Sequence, residues 1–225
     1  MARFLPFLLS VIAGATDIIG VLGLDGLFTA HITGNLVLLA ARIVANTPAL
    51  ISYILSVPVF MIVLLVAGVI ARTKEQNGGS SLQPLLLLQL LALLAFLLLS
   101  ITSGPWRSPD AAPAIIAGMC GVTAMAVQNA LVQVGLKDAP STAVMTTNLT
   151  RLMLDLSSVL VSRDTADVAK AKTRVLHILP VVIGFCIGCA LGAAGEAAVG
   201  LWSLMLPTAL TLLAFVIGME KCQYD

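Results

Sequence analysis

The stretch FTAHITGNLVLLAARI, residues 28–43, decides how the chain folds, because it places polar side chains inside an apolar segment. His31, Thr33 and Asn35 stand on neighbouring turns if the stretch is helical. A similar stretch, STAVMTTNLTRLMLDL, covers residues 141–156. The pair predicts one polar-centred segment in each half of the chain.

The composition is that of a chain embedded in lipid, with 59% hydrophobic and 10% charged residues among 225. A helix needs about 20 apolar residues to cross the hydrocarbon core. The apolar runs of the sequence lack the alternation of apolar and polar residues that marks a barrel strand. We therefore predict an all-α polytopic membrane helix bundle. The net charge of +1 argues against a nucleic-acid partner. The predicted spans are residues 4–24, 49–70, 84–101, 113–136, 175–194 and 201–219.

Two further stretches need interpretation, one at the start of the chain and one between the fourth and fifth predicted spans. Arg3, the following apolar run and AGA at 13–15 resemble a secretory signal, although we prefer an uncleaved span because Asp17 belongs to the repeat. The hydrophilic stretch SRDTADVAKAKTR, residues 162–174, is predicted to be a solvated cytoplasmic connector.

An internal repeat relates the two halves of the chain. TAHITGNL at 29–36 aligns with TAVMTTNL at 142–149, an offset of 113 residues, and Asp17 aligns with Asn129 at an offset of 112. Two homologous halves explain this most simply. We predict a single membrane domain over 1–225, with repeat 1 at about 4–101, repeat 2 at about 113–219 and a linker at 102–112.

The topology depends on whether the polar-centred segments cross the membrane. Re-entrant segments would leave three crossings in each half and would require inverted halves, whereas full crossings would give four each and parallel halves. The six-crossing scheme gathers most Lys and Arg residues on one side, as cytoplasmic loops do. We therefore predict 3+3 inverted repeats in the cell (inner) membrane, with both termini cytoplasmic.

A family resemblance covers nearly the whole chain. GATDIIGVLGLDGLFTAHITGNLVLLA at 14–40 resembles the N-terminal signature of the YoaK-like family of small multi-pass bacterial membrane proteins. QNALVQ at 128–133 and TTNLT at 146–150 are similar to the second-half pattern of that family. The resemblance implies one multi-helical membrane domain of unknown function and no established substrate.

The polar residues inside the apolar segments predict a binding site. An ionisable group such as Asp17 is expensive in lipid and should face the bundle interior. Amide and hydroxyl groups suit a polar solute or a dehydrated ion, and a glycine beside them lets backbone approach a ligand. The predicted substrate-binding residues are Asp17, His31, Thr33, Gly34, Asn35, Asn129, Thr146, Asn148 and Arg151.

We predict that these residues surround one central site of a secondary transporter or channel-like permease. The alternative is a structural or assembly protein in which the same residues only hold helices together. His31 could carry protons or make a structural hydrogen bond. The sequence leaves open whether Arg42 pairs with Asp155 or Asp17 pairs with Arg151.

Enzyme motifs are absent from the sequence, so we expect no enzyme, cofactor or metal site. Cys186 and Cys189 form a CxxC inside an apolar span, where we expect them to pack rather than to bind metal. The expected partners are membrane lipid, a small-molecule or ion substrate of unknown identity, and a second copy of the chain. Gly184, Gly188 and Gly192, spaced every four residues, supply a face for that homo-oligomer contact.

Overall fold

A computed structural model describes residues 4–47, 51–104, 106, 110–136 and 139–224, with side chains described up to 219. Arg3, and residues 105 and 107–109 of the predicted linker, therefore lie outside the described residues. All regular structure in the described part is helical, which confirms the predicted all-α class. The helices are α1 (Phe4–Gly23), α2 (Ile32–Val44), α3 (Ile51–Gln76), α4 (Leu82–Ser103), α5 (Ala112–Ala130), α6 (Met145–Val161), α7 (Thr165–Val199) and α8 (Met205–Tyr224).

Five helical segments of the described chain are long and apolar enough to cross a membrane, which confirms the predicted multi-pass class. The last of them combines α7, a 3₁₀ turn at Gly200–Leu204 and most of α8. A π-helical turn at Leu131–Gly135 extends α5. The helices α2 and α6 have 13 and 17 residues. They measure about 20 and 26 Å, less than the roughly 30 Å hydrocarbon core.

The helix α7 corrects the predicted connector at 162–174. The helix begins at Thr165 and has 35 residues, so most of the hydrophilic stretch is its first part. Asp164 caps it, because the Asp164 carboxylate accepts a hydrogen bond of 2.8 Å from the Ala166 N–H. At about 52 Å, α7 is much longer than the hydrocarbon core is thick.

The segment between α1 and α2 enters the bundle beside α1 and leaves at the same end. The chain turns at Asp25 and Gly26, both at positive φ, and returns along α1 until Thr29 meets Asp17, six residues before Gly23. That depth is about 9 Å. The helix α2 then runs back, so that Arg42 contacts Asp25. This course is re-entrant with respect to α1.

The first helices of the two halves run antiparallel. Leu9, near the start of α1, meets Gln128 near the end of α5, while Leu27 beyond the end of α1 lies against Gly118 near the start of α5. The last helices of the halves, α4 and α8, are antiparallel as well, because Gly218 faces Leu86.

The contacts of α1–α4 resemble those of α5–α8 when the helices are compared in chain order. The helix α1 packs on α7, and its counterpart α5 packs on α3. In the same way α4 packs on α5, and its counterpart α8 packs on α1. Likewise α2 packs on α3 and α6 on α7. The core between them is apolar, with fully buried side chains at Leu9, Ile12, Phe96, Met125 and Leu131.

The glycine face of α7 packs inside the chain. Gly184 lies against Phe7 and Gly192 against Ala15, and both are buried. A methyl group on Gly188 would overlap the Val11 carbonyl. Since α1 covers this face, it cannot serve as the predicted homo-oligomer contact.

Candidate functional site

The Asp17 carboxylate is the centre of a hydrogen-bonded cluster at the tip of the first re-entrant segment. Its Oδ1 accepts from the backbone N–H of Thr29 at 2.8 Å and from that of Ala30 at 2.7 Å. The Thr29 hydroxyl donates to the same oxygen at 3.3 Å. Asp17 is only 3% exposed. The backbone of the re-entrant segment thus surrounds the buried Asp17 side chain with hydrogen-bond donors, an arrangement that suits a carboxyl group.

His31 closes the other side of this carboxylate. Its Nδ1 lies 2.6 Å from Asp17 Oδ2, and the imidazole stands edge-on to the rings of Phe28 and Phe185. The hydrogen bond to Asp17 raises the pKa of His31, because it favours the protonated imidazole over the neutral one. The His31 side chain is 39% exposed, whereas that of Asp17 is 5% exposed. His31 is therefore the exposed partner in a titratable pair that joins α1 to the start of α2.

Asn35 holds the re-entrant segment in its folded shape. Its Nδ2 donates to the Phe28 carbonyl at 2.8 Å, and its Oδ1 accepts from the Phe28 N–H at 2.9 Å. Gly34 packs under the Phe28 ring, where an added Cβ would lie 3.0 Å from the ring. Asn35 is fully buried. Both polar groups of its amide are therefore occupied by the chain itself.

Asn35→Ala should lower the free energy of unfolding by about 1–3 kcal/mol, because it leaves the partly buried Phe28 N–H and carbonyl without this partner. Thr33→Ala, at an exposed position on the same turn, should change it by less than about 0.5 kcal/mol. Thermal unfolding of the two variants in one detergent measures the difference. Equal melting temperatures would contradict the role assigned to the amide.

The second polar-centred segment makes a related set of contacts. Asn148 Nδ2 donates to the Ser141 carbonyl at 2.6 Å, again to a residue seven positions earlier. The Thr142 hydroxyl accepts from Gln128 Nε2 at 2.9 Å, and its carbonyl accepts from the Ser10 hydroxyl at 3.4 Å. This segment therefore contacts α1 as well, but near the start of that helix.

Two buried glutamines belong to this second cluster, and sequence reasoning did not single them out. Gln89 Nε2 donates to Gln128 Oε1 at 2.7 Å, and Gln128 Nε2 also donates to the Leu9 carbonyl at 2.9 Å. Gln128 stands immediately before Asn129, which the repeat aligned with Asp17. Asn129 instead donates to the Met125 carbonyl of its own helix at 2.9 Å. A one-residue step rotates the side chain by about 100° on a helix, so the alignment pointed to the wrong neighbour.

The structure places the two clusters at different levels of the bundle. Ser10, which meets the second cluster, precedes Asp17 by seven residues on α1, a rise of about 10 Å. The predicted single central site therefore does not describe this arrangement. Asp17, His31, Gly34 and Asn35 come together in the first cluster. Asn148 lies in the second, whereas Thr33, Thr146 and Arg151 are exposed on α2 and α6, and Asn129 is half-buried.

The arginine pairings differ from both alternatives that the sequence left open. Arg42 pairs with Asp25 at 2.8 Å and lies over the Tyr53 ring, 5.4 Å from its centroid. Asp155 accepts from Arg174 Nε at 2.8 Å. Neither Arg42–Asp155 nor Asp17–Arg151 is formed, because residues of the adjoining turn and of α7 lie closer.

The described thiols, carboxylates and imidazoles are the candidate ligands for a metal ion. Within the described ranges, no three His, Cys, Asp or Glu side chains gather closely enough to hold an ion. Cys120, Cys186 and Cys189 are free thiols, and Cys189 lies beside Gly14 at the α1–α7 contact. Cys189 is therefore a packing residue between α1 and α7.

An all-helical bundle with several apolar spans and buried polar clusters defines a multi-pass membrane protein. Residues 5–217 match the family described as "Protein of unknown function (DUF1275)", and the chain belongs to that family. This match confirms the prediction that the chain belongs to a family of unknown function. Comparison with curated proteins gives no match, and comparison with solved structures gives none either.

Proposed function

We propose that the protein is a secondary transporter or channel-like permease for a small polar or ionic solute. The observation that carries the proposal is the Asp17–His31 pair, in which a buried carboxylate meets a partly exposed imidazole at the tip of a re-entrant segment. An ionisable pair inside a membrane bundle is costly, and such pairs commonly mark solute or proton pathways. Proton coupling through this pair is part of the proposal.

The packing supports inverted repeats as the frame of that pathway. The antiparallel pairs α1–α5 and α4–α8 are what inversion of two similar halves produces. The bonds from Asn35 to Phe28 and from Asn148 to Ser141 are themselves related by the 113-residue offset. In this arrangement each half sends one segment into the bundle from its own end.

Charge supports a cytoplasmic location for the end at which α1 begins. Arg72 and Lys74 finish α3 there, and Lys170 and Lys172 stand on the first turns of α7. At the opposite end, the described charged residues include Asp25, Asp110 and Glu196 besides Arg42, which pairs with Asp25. By the positive-inside rule, we infer that the N-terminal side faces the cytoplasm. We propose the inner membrane as the location of the protein.

A test of permeation uses the purified protein in liposomes. We would measure uptake of a panel of alkali cations, ammonium, amino acids and sugars, with an internal pH-sensitive dye. The proposal expects uptake of at least one solute above protein-free vesicles, with loss of that uptake in Asp17→Asn and retention in Thr33→Ala. Uptake that is equal in wild type and Asp17→Asn would contradict the role of the pair.

The second candidate is a structural or assembly protein. The amides of Asn35 and Asn148 favour it, because both are occupied by backbone carbonyls of their own segments. Under this function, no member of the panel would cross the membrane faster than in empty vesicles.

The Asp17–His31 pair should make stability depend on pH. Because the folded-state pKa of His31 is raised, protonated His31 stabilises the fold below its unfolded pKa of about 6.5, and this stabilisation is lost as pH rises through the folded pKa. The excess melting temperature of wild type over His31→Gln should therefore decrease from about pH 5.5 to about 8.5. An excess that grows with pH would contradict the pairing.

A further inference from the structure

We propose that a cleft between α6 and the first part of α7 binds the phosphate group of an anionic phospholipid. The cleft has a volume of about 570 Å³. Arg151, Arg174, His177 and Asp155 line it together with the apolar side chains of Leu154 and Ile178. It combines a cationic side with an apolar side, as a headgroup and the start of an acyl chain require.

Among the described side chains that line the cleft, the two arginines exceed the one carboxylate by one positive charge. Asp155 Oδ1 accepts from Arg174 at both Nε and Nη2, so these two side chains neutralise each other. Arg151 is exposed and forms no ion pair with a residue that the structure describes. Its guanidinium is a planar group of five donors that can bind a phosphate in bidentate fashion. Arg151 is therefore the residue assigned to the phosphate, with Arg174 beside it.

The position of the cleft favours a lipid over a dissolved anion. Arg174 immediately precedes the apolar run of α7 that begins at Val175, which places the guanidinium at the boundary of the hydrocarbon core. On α6, Met153 is 55% and Leu154 62% exposed, so an apolar surface continues from Arg151. A bound headgroup would thus have its acyl chains against α6. Basic pockets between membrane helices at the cytoplasmic side are suited to anionic lipids.

This site is separate from the Asp17–His31 pair and does not rest on the proposed transport function. His31 contacts Phe185, whereas the nearest residue of the cleft on α7 is Ile178, seven residues earlier. The separation along the helix is about 10 Å. Lipid binding can therefore be present whether or not a solute crosses the bundle.

Native mass spectrometry of the full-length protein in detergent, titrated with phosphatidylglycerol or zwitterionic phosphatidylcholine, tests the proposal. We expect selective retention of phosphatidylglycerol and about fivefold weaker retention in Arg151→Gln, the factor that corresponds to about 1 kcal/mol for one basic residue at an anionic surface. Lys170→Gln, an exposed charge of α7 outside the cleft, is the matched control and should retain the lipid as wild type does.

Three outcomes would overturn the proposal. Equal retention of the two lipids would show that binding does not require an anionic headgroup. Equal losses of phosphatidylglycerol retention in Arg151→Gln and Lys170→Gln would show that the lipid responds to general surface charge and not to the cleft. Displacement of the lipid by inorganic phosphate alone, at low concentration, would assign the cleft to a dissolved anion. Arg151 is exposed, and a melting temperature equal to that of wild type would show that Arg151→Gln is folded.

Discussion

Asp17→Ala should strongly destabilise the fold, whereas Asp17→Asn should leave its stability near that of wild type. The alanine variant leaves the buried N–H groups of Thr29 and Ala30 without an acceptor. Each such group costs about 1–3 kcal/mol, so we expect a loss of about 2–6 kcal/mol in the free energy of unfolding. Asparagine keeps an oxygen for those two donors, and its amide can donate to Nδ1 of a neutral His31.

The two variants separate the structural role of the Asp17 carboxylate, which accepts hydrogen bonds from the backbone, from the role of its charge. Thermal unfolding in detergent should give a melting temperature for Asp17→Asn near that of wild type and a much lower one for Asp17→Ala. Loss of uptake in the folded Asp17→Asn then reports on the charge alone. If the alanine variant melts with wild type, the backbone donors around Asp17 do not stabilise the re-entrant segment.

Gly188→Ala should prevent α1 and α7 from packing. The added methyl group would overlap the Val11 carbonyl, which belongs to the backbone of α1 and cannot rotate away as a side chain can, so the helices must separate. Overpacking typically costs about 1–3 kcal/mol, and a backbone clash in the most extensive helix contact should reach or exceed the upper value. Alanine favours helix over glycine by about 1 kcal/mol, so the loss occurs despite a gain in helix propensity.

Gly68→Ala is the matched control for this substitution. Gly68 lies in α3, and an added Cβ there meets nothing within 4 Å. We therefore expect Gly68→Ala to leave the melting temperature unchanged or slightly higher, while Gly188→Ala lowers it or prevents purification of folded protein. A Gly188→Ala protein as stable as Gly68→Ala would contradict the assignment of this face to α1.

Sequence patterns located the spans and the polar tips but not the partners of the polar groups. Asp17 and His31 stood out because ionisable groups are rare in apolar segments. The donors to Asp17 are the backbone N–H groups of Thr29 and Ala30, which leave no signature in side-chain chemistry. Gln128 was missed because the alignment of the repeats favoured Asn129, one residue away and on another face of α5.

The ion-pair partners of Arg42 and Asp155 could not be predicted from the sequence either. Arg42 and Asp155 occupy equivalent positions with opposite charges, which suggested that they pair with each other. Each instead finds a partner within its own half, Asp25 in the turn after α1 and Arg174 on α7. Both partners lie on parts that sequence analysis had treated as connecting chain, because the course of a turn and the start of α7 depend on packing.

In the proposed pathway, two polar tips enter the bundle from opposite faces and reach water. The most direct test places single cysteines at Thr33 and Thr146, both exposed at the starts of α2 and α6, in a background without the four native cysteines. Membrane-impermeant thiol reagents are then added from one side of the membrane at a time. We predict labelling of the two positions from opposite sides. Labelling of both positions from the same side, or of neither from either side, would contradict the entry of the two tips from opposite faces.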